Sequence, residues 1–217
     1  MTIQPRTLLW DMDGTLVDTA PIWAGVWGEV LSSLGVPLRS EIRSRLAYCA
    51  ERQAIDLVLR ETGLGTEHTD LVRDQMNEKA RARFAEDVPL MPGAAGILRE
   101  ASERGIPQAL VTSSVREVTD LILPHIGRGH FAFTITFTEV ASPKPHPEPY
   151  LRAAEALGAD PASALVVEDS HSGVRAGLAA GARVLAVNDA LDLDDHPRLH
   201  RRTTLEDTAL DELLATG

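Results

Sequence analysis

The 217-residue sequence has a single cysteine, a deficit of basic residues and no long hydrophobic run. Because a disulfide needs two thiols, Cys49 excludes an intramolecular disulfide, and we interpret it as a packing residue. No apolar run approaches the roughly 20 residues that a membrane-spanning helix needs. The apolar run after Arg6 is also too short for a signal peptide. We therefore expect a cytoplasmic protein without a membrane partner.

The charge balance argues against a second class of partner. With 21 Lys and Arg against 32 Asp and Glu, the net charge is −11 at pH 7. Nucleic acids and acidic membranes attract proteins through clusters of basic residues, so we expect neither as a partner. Hydrophobic residues make up 44% and charged residues 24% of the chain, as in a folded globular protein rather than a disordered one. We favour a monomer.

Strand-like and helix-like patterns alternate over most of the chain. The predicted strands are residues 7–10, 106–111, 131–137, 164–167 and, as the last one, 184–187. Predicted helices between and after them cover residues 115–123, 147–157, 172–180 and 203–214. This order predicts an α/β fold: a Rossmann-like, mostly parallel sheet with helices on both faces.

A different pattern interrupts this alternation early in the chain. From about residue 20 to residue 86 apolar residues recur at helical spacing, as in the run from Ile22 to Leu34, and strand-like runs are absent. Prolines near residue 89 mark the return to the α/β pattern. The sequence therefore predicts a core of residues 1–19 and 87–217, with an all-helical domain of residues 20–86 inserted into it.

Chemically distinctive polar residues follow four of the predicted strands. In chain order they are Asp11 and Asp13, Thr112-Ser113-Ser114, Lys144, and Glu168-Asp169-Ser170. Each has a plainer interpretation by itself: Thr112, Ser113 and Asp169 as helix caps, and Lys144 as a solvated loop residue. Ligands of open parallel sheets bind beyond the carboxyl ends of the strands, however. We therefore expect these residues to form one site.

The chemistry of this set is coherent. Asp11, Asp13 and Asp169 carry the hard oxygen ligands that Mg²⁺ prefers. Lys144 and the Thr112 hydroxyl suit the recognition of a phosphoryl group. A carboxylate held beside a metal and a phosphate can act as a nucleophile. A second carboxylate can protonate the leaving oxygen and later activate water.

These motifs resemble those of the haloacid dehalogenase superfamily. The stretch from Asp11 to Thr19 is similar to its first motif, and Thr112 after an apolar strand to its second. Lys144 in Lys-Pro-x-Pro resembles the third motif, and Glu168-Asp169-Ser170 the fourth. The inserted helical segment is similar to the cap of the phosphoglycolate phosphatase and β-phosphoglucomutase subgroup.

The resemblance implies specific roles for the acidic residues. Asp11 is expected to be the nucleophile and Asp13 the general acid/base. Mg²⁺ is expected to bind Asp11, Asp169 and the backbone carbonyl of Asp13, with Glu168 as a supporting partner of these ligands.

It also implies a phosphate site at Thr112, Ser113 and Lys144. Together these expectations describe a Mg²⁺-dependent phosphatase that hydrolyses a small phosphorylated metabolite through an aspartyl-phosphate. Two alternatives stay open: a sugar phosphomutase with the same first steps, and a non-enzymatic phospho-acceptor resembling a response-regulator receiver. The helical insertion and Asp13 argue against the second of these.

The residues that contact the rest of the substrate are less clearly marked. The candidates are Arg43, Arg45, Arg52 and His68 in the inserted segment, and His146 and His171 beside the motifs. Solvent-exposed helix faces explain the first four more simply, so the sequence leaves the substrate open.

Overall fold

The computed structural model of the chain describes residues 7–46 and 51–215, so Cys49 lies outside the described part. The chain forms two compact units: an α/β unit, Met1–Asp18 with Pro89–Gly217, and a helical unit, Thr19–Val88. That the first is a catalytic core and the second a cap stays a prediction.

The α/β unit contains a six-stranded sheet in which every neighbouring pair is parallel. Its strands are β1 Thr7–Trp10, β2 Gln108–Val111, β3 Phe133–Ile135, β4 Ala164–Glu168, β5 Arg183–Ala186 and β6 Leu199–Arg201. The order across the sheet is β3-β2-β1-β4-β5-β6, so β1 lies between β2 and β4. From β1 the chain proceeds to β2 on one side and from β4 to β5 on the other, so the strand order reverses between β1 and β4. Ligands of open α/β sheets bind at the carboxyl ends of the strands beside such a reversal. The predicted α/β class is confirmed.

Helices cover both faces of this sheet. The helices of the α/β unit are α5 Ala94–Glu103, α6 Arg116–Ile126, α7 Glu148–Ala156, α8 His171–Ala179 and α9 Leu210–Ala215; the lower numbers belong to the helical unit. Leu9 and Val166 are fully buried in one cluster with Tyr150 of α7 and Val174 of α8. The parallel strands are therefore buried on this face, as their almost uninterrupted apolar sequences require.

A buried hydrogen-bond chain marks the opposite face. The indole Nε1 of Trp10 donates to Gln108 Oε1 over 2.9 Å, and Gln108 Nε2 donates to the carbonyl oxygen of Leu98 in α5 over 3.2 Å. Because successive side chains of a strand point to opposite faces, Trp10 and Leu9 contact different helical layers.

The helical unit consists of α1 Ala20–Ser33, α2 Ser40–Leu46, α3 Glu51–Thr62 and α4 Thr69–Glu86. Helices α1 and α4 pack together, with the rings of Trp23 and Phe84 edge to face at 5.3 Å. Within the described residues, no helix is long and apolar enough to cross a bilayer.

Two sequence predictions near the C-terminus are wrong. Residues 184–187 are not the last strand, because β6 follows at the edge of the sheet. Its three residues carry His200 and Arg201, so they lack an apolar run. The helix predicted over residues 203–214 begins only at Leu210, because the preceding residues form turns and Asp207 has a left-handed φ of 55°.

Two strand boundaries also differ from the prediction. The strand predicted from residue 106 begins at Gln108, after Pro107, whose carbonyl accepts the N–H of Leu8. The strand predicted over residues 131–137 spans only Phe133–Ile135. It ends where Thr136 and Glu139 form a capping box that starts a short 3-10 turn.

Packing of α8 against the sheet predicts opposite effects for two glycine substitutions. A methyl group on Gly177 would lie 2.8 Å from Val184 Cγ2 and 3.1 Å from Val166 Cγ1. We expect Gly177→Ala to lower the free energy of unfolding by about 1–3 kcal/mol, since overpacking must displace these valines. Gly96 in α5 has no atom within 4 Å of the same position. Gly96→Ala should therefore raise that free energy by about 0.5–1 kcal/mol. Urea denaturation measures both, and equal stability of the two variants would contradict the packing.

Candidate active site

The sheet itself fixes the backbone of the candidate residues. The N–H of Asp11 donates to the carbonyl of Val167 over 3.0 Å, and the N–H of Thr112 donates to that of Ile135 over 2.9 Å. Both residues thus extend the hydrogen-bond ladder by one position beyond their strands. Their side chains start from backbone positions that the core determines.

Lys144 connects three strands at this carboxyl edge. Its Nζ donates to Asp11 Oδ1 and Glu168 Oε1, both over 2.7 Å, and to the carbonyl oxygen of Val111 over 2.8 Å. The side chain is only 3% exposed. Burial lowers the pKa of Lys144, but Asp11 and Glu168 outweigh it and raise the pKa above its ordinary value. Lys144 is therefore a cation held between two carboxylates.

Glu168 is fully buried and accepts hydrogen bonds on both oxygens. Oε1 accepts from Lys144 and, over 2.8 Å, from the hydroxyl of Tyr150. Oε2 accepts from the N–H groups of Asp169 and Ser170 and from the Ser170 hydroxyl. Burial and Glu168 raise the pKa of Tyr150, so its hydroxyl keeps the proton that it donates. A carboxylate offers about four lone-pair positions, so these five donors occupy all of the acceptor capacity of Glu168.

Asp11, Glu168 and Asp169 form an acidic cluster, in which one carboxylate oxygen of each lies within 4.8 Å of the others. Burial, Glu168 and Asp169 raise the pKa of Asp11 well above its ordinary value, against the opposing effect of Lys144. Burial, Glu168 and Asp13 raise the pKa of Asp169 to about 7. Hard oxygen donors that repel one another fit a divalent cation such as Mg²⁺. Since Glu168 already accepts five hydrogen bonds, Asp11 and Asp169 are the members best suited to bind it.

Two glycines allow the carboxylates to approach the backbone this closely. Gly14 has a φ of +82°, and a Cβ there would lie 2.1 Å from Asp169 Oδ2. A Cβ on Gly173 would lie 1.5 Å from Glu168 Oε1. Glycine at both positions is therefore a steric requirement of the acidic cluster.

Asp13 lies beside the loop that follows β2. Its Oδ2 accepts from the hydroxyl of Ser114 over 2.8 Å and from that of Thr112 over 3.4 Å. The predicted neighbour, Ser113, is exposed. The structure thus brings Ser114 to the acid pair, whereas the sequence pointed to Thr112 and Ser113 as the site residues of this loop.

Tyr150 was not predicted as a site residue, and Ser170 was named in the fourth motif without a role. Tyr150 lies six residues after Lys144, near the start of α7, so the helix carries it back over the lysine, with Nζ 5.0 Å from the ring centroid. Ser170, and not Asp169, caps α8, because its hydroxyl accepts the N–H of Gly173. Nothing in the single sequence distinguishes Tyr150 from a packing residue of α7.

The candidates for substrate contact all have local explanations. Arg43, Arg45 and Arg52 are exposed, and Arg45 pairs with Glu61. His68 lies beside Glu67, His146 accepts the N–H of Glu148, and His171 contacts the carbonyl of Asp192. Roles for these six residues in substrate binding stay predictions.

Comparison with known proteins gives one family model and several similar phosphatases. Residues 5–181 match the haloacid dehalogenase-like hydrolases. Hexitol phosphatase A of Escherichia coli K12 is 35% identical over 196 residues, covering 90% of this chain and 87% of that protein. Hexitol phosphatase B of the same organism is 30% identical over 201 residues, covering 89% of each. CbbY of Rhodobacter sphaeroides, solved in complex with phosphate, has a TM-score of 0.78 at 25% identity, covering 94% of this chain and 96% of that one.

Repulsion in the acidic cluster predicts that Asp169→Asn stabilises the metal-free protein. The pKa of Asp169 rises from an ordinary value of 3.8 to about 7 on folding. The folded state therefore holds an extra proton between these values, and stability falls as pH rises through this window. At pH 8, above both pKa values, Asp169 is charged in the folded state and the full loss of stability is present. We therefore expect Asp169→Asn to raise Tm by about 2–4 °C for each kcal/mol of relieved repulsion.

Thermal unfolding in a chelator-containing buffer from pH 5 to pH 8 measures this effect. The advantage of Asp169→Asn should shrink toward pH 5, where the folded wild type is protonated. Asp211→Asn, at a side chain that is 80% exposed, serves as the matched control and should show no such trend. A variant less stable than wild type at pH 8 would contradict the prediction.

Proposed function

This chain belongs to the haloacid dehalogenase-like hydrolases, and we propose that it is a Mg²⁺-dependent phosphatase that works through an aspartyl-phosphate on Asp11. The observation that carries this proposal is the convergence at one sheet edge. A buried lysine contacts Asp11 over 2.7 Å, and a second aspartate, Asp13, follows two residues later. One carboxylate can attack while the other manages the proton.

In the first step, Asp11 attacks the phosphorus atom of the substrate. A bond forms between a carboxylate oxygen of Asp11 and phosphorus, and the bond from phosphorus to the substrate oxygen breaks. Asp13 gives its proton to that leaving oxygen, so the product is a neutral alcohol. Lys144, held as a cation, offsets the negative charge of the phosphoryl oxygens.

In the second step, water attacks the aspartyl-phosphate. Asp13, now a carboxylate, accepts a proton from this water while the bond between Asp11 and phosphorus breaks. Inorganic phosphate leaves, and both aspartates return to their starting states. Asp13 thus acts first as an acid and then as a base, as the two half-reactions require.

The donor set also supports a role for Mg²⁺. Asp11 and Asp169 would hold the ion, together with the backbone carbonyl of Asp13, and Glu168 would keep Lys144 and the backbone of Asp169 in place. The bound ion neutralises negative charge that the carboxylates and a phosphate would otherwise bring together.

The names of the relatives suggest the substrate class. Two are hexitol phosphatases that match nearly the whole chain, and CbbY of Rhodobacter sphaeroides was solved in complex with phosphate. We propose a small phosphorylated sugar or sugar alcohol as the substrate, with Thr112 and Lys144 binding its phosphate.

Removal of the nucleophile tests the mechanism. We expect Asp11→Asn to reduce phosphate release from p-nitrophenyl phosphate, with Mg²⁺ present, by about a thousandfold or more, since an amide cannot form the intermediate. Asp211→Asn is the control for a distant aspartate. A folded Asp11→Asn protein with substantial activity would refute the proposed nucleophile.

Product analysis separates the phosphatase from its alternatives. With phosphorylated hexitols and hexoses as substrates, we expect free phosphate in amounts equal to the alcohol product. Formation of glucose 6-phosphate from β-glucose 1-phosphate would instead indicate a phosphomutase. A phosphoaspartate that persists without turnover would indicate a phospho-acceptor switch.

A further inference from the structure

We infer that Ser114 is a positioning residue that orients Asp13 for protonation of the leaving oxygen. This inference rests on the proposed function, because it assigns Asp13 the role of general acid. Ser114 acts on the reaction only through Asp13, and it lies one residue beyond the pair that the sequence assigned to the phosphate site.

Two hydroxyl groups converge on one oxygen of Asp13. Oδ2 accepts from Ser114 Oγ over 2.8 Å and is 3.4 Å from Thr112 Oγ1. Thr112 Oγ1 itself accepts the N–H of Ser114 over 2.9 Å, which directs its own hydrogen toward Asp13. The shorter bond, from Ser114, is the stronger constraint on the carboxyl group.

The position of the Ser114 hydroxyl is set by the surrounding backbone. The N–H of Ser114 donates to Thr112 Oγ1, and the carbonyl oxygen of Ser114 accepts the N–H of Phe137 over 3.1 Å. Thr112 in turn continues the sheet ladder to Ile135. The hydroxyl is therefore presented from a loop whose backbone bonds are satisfied, which suits a group that must hold another in place.

This geometry assigns different tasks to the two oxygens of Asp13. Oδ2 is engaged by the Ser114 hydroxyl, so the carboxyl group cannot rotate freely about its Cβ–Cγ bond. Proton exchange with the substrate then falls to Oδ1. In the acid step, the Oδ1–H bond breaks and a new O–H bond forms on the leaving oxygen, while the hydrogen bond from Ser114 stabilises the resulting carboxylate.

The effect on kcat/KM of losing this orientation should depend on the leaving group. A sugar alcohol leaves as a strong base unless it is protonated, whereas p-nitrophenolate is a weak base and leaves without a proton. The parameter kcat/KM covers the steps up to formation of the aspartyl-phosphate, and so isolates the acid role of Asp13 from its later role as base.

The experiment measures kcat/KM of wild type and Ser114→Ala with sorbitol 6-phosphate and with p-nitrophenyl phosphate. If wild type does not hydrolyse sorbitol 6-phosphate, the alkyl phosphate that it hydrolyses fastest takes its place. We expect Ser114→Ala to lower the alkyl value about tenfold or more relative to the aryl value, as for loss of a hydrogen bond to a charged group. Ser114→Thr, which keeps a hydroxyl, should restore most of the ratio.

Two controls isolate the effect. Ser163→Ala removes a hydroxyl that donates to the carbonyl oxygen of Asp160, before the start of β4, and should leave the ratio of alkyl to aryl kcat/KM unchanged. In an Asp13→Asn background, Ser114→Ala should change the ratio no further, because the group it positions is already gone. Thermal unfolding of each variant accompanies the kinetics.

The possible outcomes separate this inference from the proposed function. An equal fall of both kcat/KM values in Ser114→Ala, or the same fall in the Asp13→Asn background, would overturn the positioning role and leave the phosphatase intact. If wild type released phosphate from none of these substrates, the proposed function would fail and the inference with it.

Discussion

The ion pair of Lys144 with Asp11 and Glu168 is the interaction on which this site depends. Three chain segments distant in sequence meet at one buried ammonium group, whose side chain is 3% exposed. A buried cation without partners is strongly unfavourable, and so are two buried carboxylates without a cation. Each group therefore makes the burial of the others possible, and the pair holds the loops after β1, β3 and β4 together.

The acidic cluster, in contrast, carries more negative charge than Lys144 can balance. Lys144 supplies one positive charge, whereas Asp11, Glu168 and Asp169 supply three carboxyl groups, and the pKa values of both aspartates are raised. Gly14 lets the chain pass close to Asp169, where a side chain would collide. The metal-free fold thus retains repulsion that lowers stability and that the proposed chemistry would use. A divalent cation would relieve it.

Around these charged groups, uncharged side chains fix the orientation of the carboxylates. Tyr150 and Ser170 fix Glu168, and Ser114 with Thr112 fixes Asp13. Side chains that hold others must themselves start from a rigid backbone, and here each does so from a strand end or a helix start. Of the two serines that follow Thr112, Ser114 contacts Asp13, whereas Ser113 is exposed.

Most of the fold and the charged residues of the site could be predicted from the sequence. Apolar runs of strand length alternating with helical patterns specify a parallel α/β sheet, because only that arrangement buries such strands on both faces. Strand β6 was not predicted, because this short edge strand contains His200 and Arg201 and therefore has no apolar run.

Only the tertiary structure decided which polar side chains touch. The sequence by itself determined that Asp11, Asp13, Lys144, Glu168 and Asp169 lie at the same edge of the sheet, because that follows from strand order and strand ends. It did not determine that Glu168 accepts five hydrogen bonds, or that Ser114 rather than Ser113 contacts Asp13. Such contacts depend on the path of the loops beyond the strand ends: Ser114 and Asp13 are 101 residues apart, and Glu168 takes donors from the loop after β3 and from α7. Local sequence patterns do not specify these paths.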